Sequence, residues 1–450
     1  MRARLLIILL LLLVQFGSAQ YVEDSVNVGG SLVYRLAYNS RHKVVYGIGG
    51  NGSRFFAVAC SSNQLVGSIP LTDGCAVAFD SADDKGYCSS ILLGSLLVLD
   101  GRNHTPIATV VLPDATIPLW DPDSDRLYVS LPDRNRVAVV DCRNDSVLYR
   151  IPVGAWPLNM YLNRRHRRLY VVNYDDASVS VINLDSGRVA ATVPVGGYPW
   201  KGCYSTGADK FYACGEGVAV IDGASDTLIA HIALPPFVYP VAAAAVESRG
   251  LVMVAARDEL GGDPDTVYVI NTANDSLVRA IPVARYPESL IWSSLTNRVY
   301  CGSYCSVEGP DTVTVMTDDG TRITHLVPVS EAPVVMLHVP EYRRVYVGHA
   351  NSPWLYVLRD TVSGIAEESA TPVPSVPHQP TLIRGVLHLR PSPFPLPVGE
   401  GQEVRGRSLL LDVSGCAVMP LSPGPNDVGA LAPGVYFVRR PSAAAKVIIE

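Results

Sequence analysis

Between residues 32 and 360 the chain alternates apolar and polar positions in short bursts, with turn signals every eight to twelve residues. No stretch there carries the 3.6-residue apolar period of an amphipathic helix, so the alternation predicts β-strands. The bursts repeat. RRLYVVNYDDASVSVINLDSGRVAATVPVGGYP (167–199) parallels RLYVSLPDRNRVAVVDCRNDSVLYRIPVGAWP (126–157) almost position for position. Each unit reads as an apolar strand with Tyr, a polar turn, a strand ending in Asp or Asn, a second turn, a third strand and a closing Pro. One more apolar strand follows that Pro, which makes four strands per unit.

The marker tyrosine recurs at Tyr46, Tyr87, Tyr128, Tyr170, Tyr212, Tyr300 and Tyr346, with Val252 or Met253 in its place in the sixth unit. Spacings are 41 or 42 residues and stretch to about 47 where the loops after Ala256 and Gly302 lengthen. Four antiparallel strands at this period suit propeller blades, in which radial packing buries both faces of each sheet. Eight units hold the first three strands, beginning near Leu32, Ala76, Pro118, Leu158, Trp200, Val241, Ser289 and Val334. Only seven have an obvious fourth strand. The segment SVNVGG (25–30) mirrors TVPVGG (192–197), the fourth strand of another unit, so it is expected to complete the last blade beside residues 355–358. The reading is an all-β, eight-bladed β-propeller closed by an N-terminal strand, with seven blades as the alternative count.

The Y-V strands, V-x-V-I-[DN] strands and V-P-V-G turns resemble the YVTN-type propeller repeats of secreted and surface proteins, over residues 21–360. Those relatives commonly have seven blades; eight is similar to the count in cytochrome cd1-type propellers. Residues 361–380 turn rich in Pro, Ser, Glu and Ala, as a linker does. Beyond them LHLRPSPF (387–394), LLLDVSGCAV (409–418) and NDVGALAPGVYFVRR (426–440) resemble the C-terminal sorting domain of bacterial type IX secretion cargo. The matches are Leu410 through Gly415 to an L-x-D-x-x-G turn, Leu431 to Tyr436 to an L-x-P-G-x-Y strand, and Lys446 to a final strand. Ser392 stands where that family's signature has Asn, and the chain stops at Glu450 without a basic end. The resemblance implies a small β-sandwich over 381–450 and the type IX secretion machinery as a partner.

Export is expected from the other end as well. Arg2 and Arg4 precede an apolar run at 5–14 and then Gly17-Ser18-Ala19, the layout of a signal peptide (1–19) cut after Ala19. That run is about half the length of a membrane span, so no transmembrane segment is expected in the mature chain. The expected address is therefore secreted, or attached to the outer surface of the cell envelope. A formal charge of −6 argues against nucleic acid as a partner. Nine cysteines in an exported chain permit disulfides, Cys203 with Cys214 and Cys75 with Cys88 by spacing, but small buried thiols suit the pattern equally well.

Candidate chemistry gathers on the face that carries the connections into the inner strands. Trp156, Tyr198, Trp200, Tyr239 and Tyr286, mostly beside Pro, are interleaved there with Lys201 and Arg285. Such a set can stack a sugar, a base or a peptide side chain, and equally suits plain packing of the channel rim. Outer loops of this face are acidic: Asp258, Glu259, Asp263 and Asp265, then Glu308 and Asp311. Calcium is conceivable there, though no EF-hand register supports it, and no other cofactor is expected. On the opposite face Asn163-Arg164-Arg165-His166-Arg167-Arg168 forms a basic turn suited to an anionic surface such as lipopolysaccharide. His166 and His42 take matching turn positions, whereas His349 and His338 are expected to approach the aromatic face.

Two functions fit. The first is a non-catalytic binding or scaffold module for a protein, glycan or small ligand at the channel mouth. The second is a metal-dependent, lactonase-like propeller hydrolase, for which apolar inner strands supply few ligands beyond Asn159, with Asp80 and Asp121 near the strand exits.

Overall fold

The structure is a computed structural model of the 450-residue chain. It describes residues 20–30, 32–258, 265–304, 311–329 and 332–361, and the strands of the C-terminal region. Among them stand eight four-stranded antiparallel sheets, the blades of a propeller. Blade 1 runs from the inside outward as Arg35–Asn39, Val44–Gly49, Arg54–Ala59 and Gln64–Pro70. Blades 2 to 7 open on the inner strands Gly74–Asp80, Pro118–Asp121, Pro157–Asn163, Lys201–Ser205, Val238–Val246 and Pro287–Ser293. Blade 8 is Pro333–Val339, Arg344–His349 and Trp354–Asp360, completed by Gln20–Asn27 on its outer edge.

The seam closes as the repeat predicts. Val26 lies opposite Leu355 and Gln20 opposite Asp360, so the closing strand begins five residues earlier than the SVNVGG motif suggests. Val28 then donates its amide to Pro353 O at 2.9 Å. Val26, Val28, Val33, Phe56, Val58, Tyr346, Leu355 and Val357 pack as one buried cluster across blades 8 and 1. Equivalent clusters sit between other neighbours, for example Tyr87, Leu96 and Val98 of blade 2 against Leu127, Val129 and Leu131 of blade 3. Burial on both faces of every blade explains why the middle strands read as near-continuous apolar runs. Outer strands such as Arg188–Pro194 alternate, with one face in water.

The marker tyrosines are the rivets between blades. All seven are essentially fully buried. Each stands on the second strand, and most reach a polar group of the next blade. Tyr87 donates to Asp145 Oδ1 at 2.8 Å, Tyr212 to Asp275 Oδ1 at 2.9 Å and Tyr300 to Asp360 Oδ1 at 2.6 Å. Tyr46 meets His104 Nδ1 at 2.9 Å. Lys85 and Lys210 reinforce two of these contacts by pairing with Asp145 and Asp275 at 3.0 and 2.7 Å. Three of these partners occupy one recurrent position, the left-handed residue of the outer turn, with φ of +62° at His104, +56° at Asp145 and +54° at Asp275, whereas Asp360 ends the third strand of blade 8. In blade 4 that position is Gly187, which has no side-chain acceptor to offer and lies against Tyr149, and the Tyr128 hydroxyl of blade 3 is buried without a partner. In blade 7 it is Gly320, and there the facing residue is Met253, which has no hydroxyl to satisfy.

Seven described cysteines are unbridged. Register explains one pair: Cys203 faces Tyr212 and Cys214 faces Lys201, so the two thiols do not oppose each other. Cys88 likewise faces Val77, not Cys75. Burial pushes the Cys214 and Cys301 thiols up to about 12, which makes them inert small hydrophobes.

The C-terminal strands form a separate compact unit, divided from the propeller after Ile365. A five-stranded sheet runs Thr381–Ile383, Ala443–Ile449, Gly434–Arg440, Ser408–Leu411, Ala417–Leu421, its first pair parallel. Val386–Leu389 pairs with Gly424–Asp427 in a second sheet. Strands thus fall where the alternating segments of the tail predict them. The signal segment 1–19, the linker at 362–380 and the turns around Ser392, Ser414 and Pro433 lie outside the described residues.

Candidate functional site

Local sequence explains how the aromatic mouth is built. Pro118, Pro157, Pro287 and Pro333 open their inner strands at the position where no ladder N–H is required. The residue before three of these prolines is left-handed: φ is +56° at Trp156 and +51° at both Tyr286 and Ala332. A side chain there costs about 1 kcal/mol of backbone strain. The preceding blade offsets it with a cap on the strained residue's amide. Asn135 Oδ1 accepts from Trp156 N at 3.1 Å, Asp265 Oδ2 from Tyr286 N at 2.5 Å, and Asp311 Oδ2 from Ala332 N at 2.5 Å. The backbone that carries Trp156 and Tyr286 is therefore held in place by the preceding blade.

Three predicted residues come together in one cluster. Tyr174 donates its amide to Trp156 O at 3.0 Å, and its ring lies 5.2 Å from Tyr198 and 5.6 Å edge-on from Trp200. Trp156, Tyr198 and Trp200 stay exposed, Tyr198 by 70%. Tyr286 belongs to a second aromatic pair, 6.0 Å from Tyr304. Tyr239 is exposed on blade 6, opposite Arg257 in the ladder. Arg285 is half-buried beside Tyr286.

Lys201 goes deeper than the aromatics. Its Nζ donates to Glu288 O at 2.7 Å, bridging the inner strands of blades 5 and 7. Glu288 in turn pairs through its carboxylate with Arg257, whose Nε also reaches Pro287 O at 3.3 Å. Burial, together with the nearby positive charge of Arg35, pulls the Lys201 ammonium down to about 8. Arg35 opens the inner strand of blade 1, is half-buried, and forms no hydrogen bond or ion pair among the described residues. Lys201 thus lies within electrostatic range of two other cations, Arg35 and Arg257, and of one carboxylate, Glu288.

Sequence reasoning missed Tyr174, Tyr304, Arg35, Arg257 and Glu288. Tyr174 and Tyr304 were findable, because each directly follows the second strand of its repeat. Arg35 and Glu288 also carried a signal, as charged residues in the first two positions of otherwise apolar inner strands. Arg257 carried none.

Other predicted features are employed elsewhere. Asp265 and Asp311 cap turns as described, while Glu259, Asp263 and Glu308 lie outside the described residues. The Asn159 amide donates to Trp200 O at 2.7 Å. The basic turn of blade 4 is largely neutralised: Arg164 pairs with Asp123, Arg167 with Asp121 at 3.1 Å, and Arg168 with Asp226 at 2.7 Å. His166 and His42 are indeed equivalent, holding Asp209 and Asp84 of the following blades at 2.6 and 2.7 Å. His338 is not at the aromatic face. It lies 2.8 Å from Asp360 at the opposite end of blade 8, where Ser293 Oγ donates directly to Asp360 at 2.6 Å. Because serine binds the carboxylate itself, this trio lacks the relay order of a hydrolase triad.

No family model matches the chain. The uncharacterized protein YncE of Salmonella typhi is 21% identical over 161 residues, 34% of this chain and 45% of that protein. YncE of Salmonella typhimurium matches to the same extent. The alignment spans less than half the length of these relatives. Among solved structures, Kuenenia stuttgartiensis hydrazine synthase superposes with a TM-score of 0.50 at 15% identity, over 63% of this chain and 95% of that one. At that identity the likeness concerns the fold. Among the described residues the protein is an all-β, eight-bladed propeller, an architecture that by itself names no function.

Proposed function

We propose that this protein is an exported or surface-attached binding module of the YVTN-repeat kind, which takes a protein, glycan or small ligand at the aromatic mouth of its channel. The observation that carries the reading is the Trp156–Tyr174–Tyr198–Trp200 cluster next to Lys201, with Arg35, which has no ion-pair partner among the described residues, acting on Lys201 from across the channel. Fixed aromatic faces lose little entropy on stacking, and the cations add preference for a ligand that carries an acidic group. Support for export comes from the signal-like leader and the sorting-like tail, with the type IX secretion machinery as the partner of the latter.

Glycan and peptide arrays on the purified full-length chain test the site. Binding that falls at least tenfold in Trp200→Ala and in Arg35→Met supports the reading. Binding that survives both substitutions removes the mouth as the site. A stoichiometric metal lodged in the channel would instead favour a propeller hydrolase.

A further inference from the structure

On the face opposite the aromatic mouth, each blade meets the next through three recurrent positions. They are the end of the inner strand, the left-handed residue of the next blade's first turn, and the residue whose amide bonds to that turn. The last two are visible all around the ring, for example as Gly101 N to Asp84 O at 2.8 Å, Cys142 N to Asp125 O at 3.4 Å and Leu184 N to Arg167 O at 3.0 Å. At most junctions with a polar strand end, that group finds a donor or acceptor. Asn39 donates to Gly101 O at 2.8 Å, Asp121 pairs with Arg167 at 3.1 Å, and Asn163 donates to Gly223 O at 3.3 Å.

The junction of blades 2 and 3 differs. Here Asp80, Asp125 and Cys142 converge, with one ligand atom from each lying within 4.8 Å of the others. Asp80 and Cys142 have no exposed surface. One Asp80 oxygen accepts the amides of Ala82 and Asp83 at 2.7 and 3.1 Å, which fixes the carboxylate. The other is buried and accepts nothing. Asp125 is oriented by Trp120 Nε1 at 3.3 Å. Two cations are close, and neither neutralises the group. Arg143 approaches Asp125 at 3.7 Å but is 78% exposed, and Lys85 is committed to Cys142 O and to Asp145.

We propose that Asp80, Asp125 and Cys142 form a divalent-cation site for a borderline-soft ion, zinc in the first instance. A buried acceptor oxygen without a donor is costly, and a metal ion satisfies it. One sulfur and two carboxylate oxygens suit zinc, and the sulfur disfavours calcium and magnesium. Tetrahedral zinc ligands lie roughly 3.3–3.5 Å apart, so the three atoms need close by no more than about 1.5 Å. On binding, the Cys142 S–H bond breaks, the proton leaves to solvent and the thiolate sulfur bonds the ion. The aspartates with their turn amides would position a structural ion that ties blade 2 to blade 3, far from the ligand mouth.

The experiment uses the full-length chain, stripped by a chelator and titrated with Zn²⁺ by calorimetry in two buffers of different ionisation enthalpy. A parallel titration with Co²⁺ is followed by absorption. Wild type is expected to take up one equivalent more than Cys142→Ala, with release of about one proton and a thiolate-to-cobalt charge-transfer band that the variant lacks. Asp80→Asn should lose the same equivalent. If it fails to fold, Asp125→Asn at the partly exposed position carries the comparison. Equal stoichiometry and equal spectra in wild type and Cys142→Ala overturn the site. So does absence of zinc uptake, which would mean that a proton on Asp80 fills the place of the ion.

Discussion

The tyrosine rivets allow an internal control that few folds offer. Tyr212 and Tyr128 occupy the same position in blades 5 and 3, and both are buried. Tyr212 donates to the Asp275 carboxylate at 2.9 Å, whereas the Tyr128 hydroxyl has no partner, the corresponding turn position of the next blade being Gly187. A neighbouring hydroxyl, Ser124, is already committed to Asp121 at 2.6 Å. Replacing each by Phe removes one oxygen and leaves the ring volume in place. For Tyr212→Phe the loss is a hydrogen bond to a charged group, about 1.5–3 kcal/mol. The lower end is expected, since Asp275 keeps Lys210 at 2.7 Å and is not left bare. For Tyr128→Phe no bond is lost and an unsatisfied buried hydroxyl disappears, so the change should lie between neutral and about 1 kcal/mol more stable. Urea unfolding followed by fluorescence measures both, with the slope checked for constancy. If Tyr128→Phe costs as much as Tyr212→Phe, the hydroxyls are not what joins the blades.

Three other outcomes follow from the same geometry. Val26→Asp places a carboxylate in the seam cluster against Leu355 and should cost on the order of 3 kcal/mol, read as an early loss of structure in urea; an unchanged midpoint would mean the closing strand is dispensable. Burial pushes the Asp360 carboxyl up, but hydrogen bonds from His338, Ser293, Thr296 and Tyr300 prevail and hold it below its ordinary value. Its stabilisation is therefore full above pH about 4 and lost as pH falls through the lowered value, so Asp360→Asn should cost about 3 kcal/mol at pH 7 and progressively less in acid. Lys201, brought down to about 8 by burial and Arg35, is charged below that pH. Binding of an acidic ligand at the mouth should weaken as pH rises through 8, and Lys201→Met should remove that dependence; a flat wild-type profile would exclude contact with the ammonium.

Much of this protein is written in its local pattern. Alternating strands, marker tyrosines and closing prolines set the blade, and one extra fourth-strand motif at residues 25–30 set both the blade count and the closure. These features are legible because each blade is built from neighbouring residues and repeats eight times. The exposed aromatics were legible too, since the prolines beside them mark the entry to the inner strands. What the chain order hides is every contact that spans the ring. Arg35 acts on Lys201 from across the channel, and Lys201 reaches Glu288 over 87 positions of sequence. The Asp80–Asp125–Cys142 group joins three turns that no spacing rule connects. Such juxtapositions arise where different repeats meet, and only the closing of the ring brings their charges within range of one another.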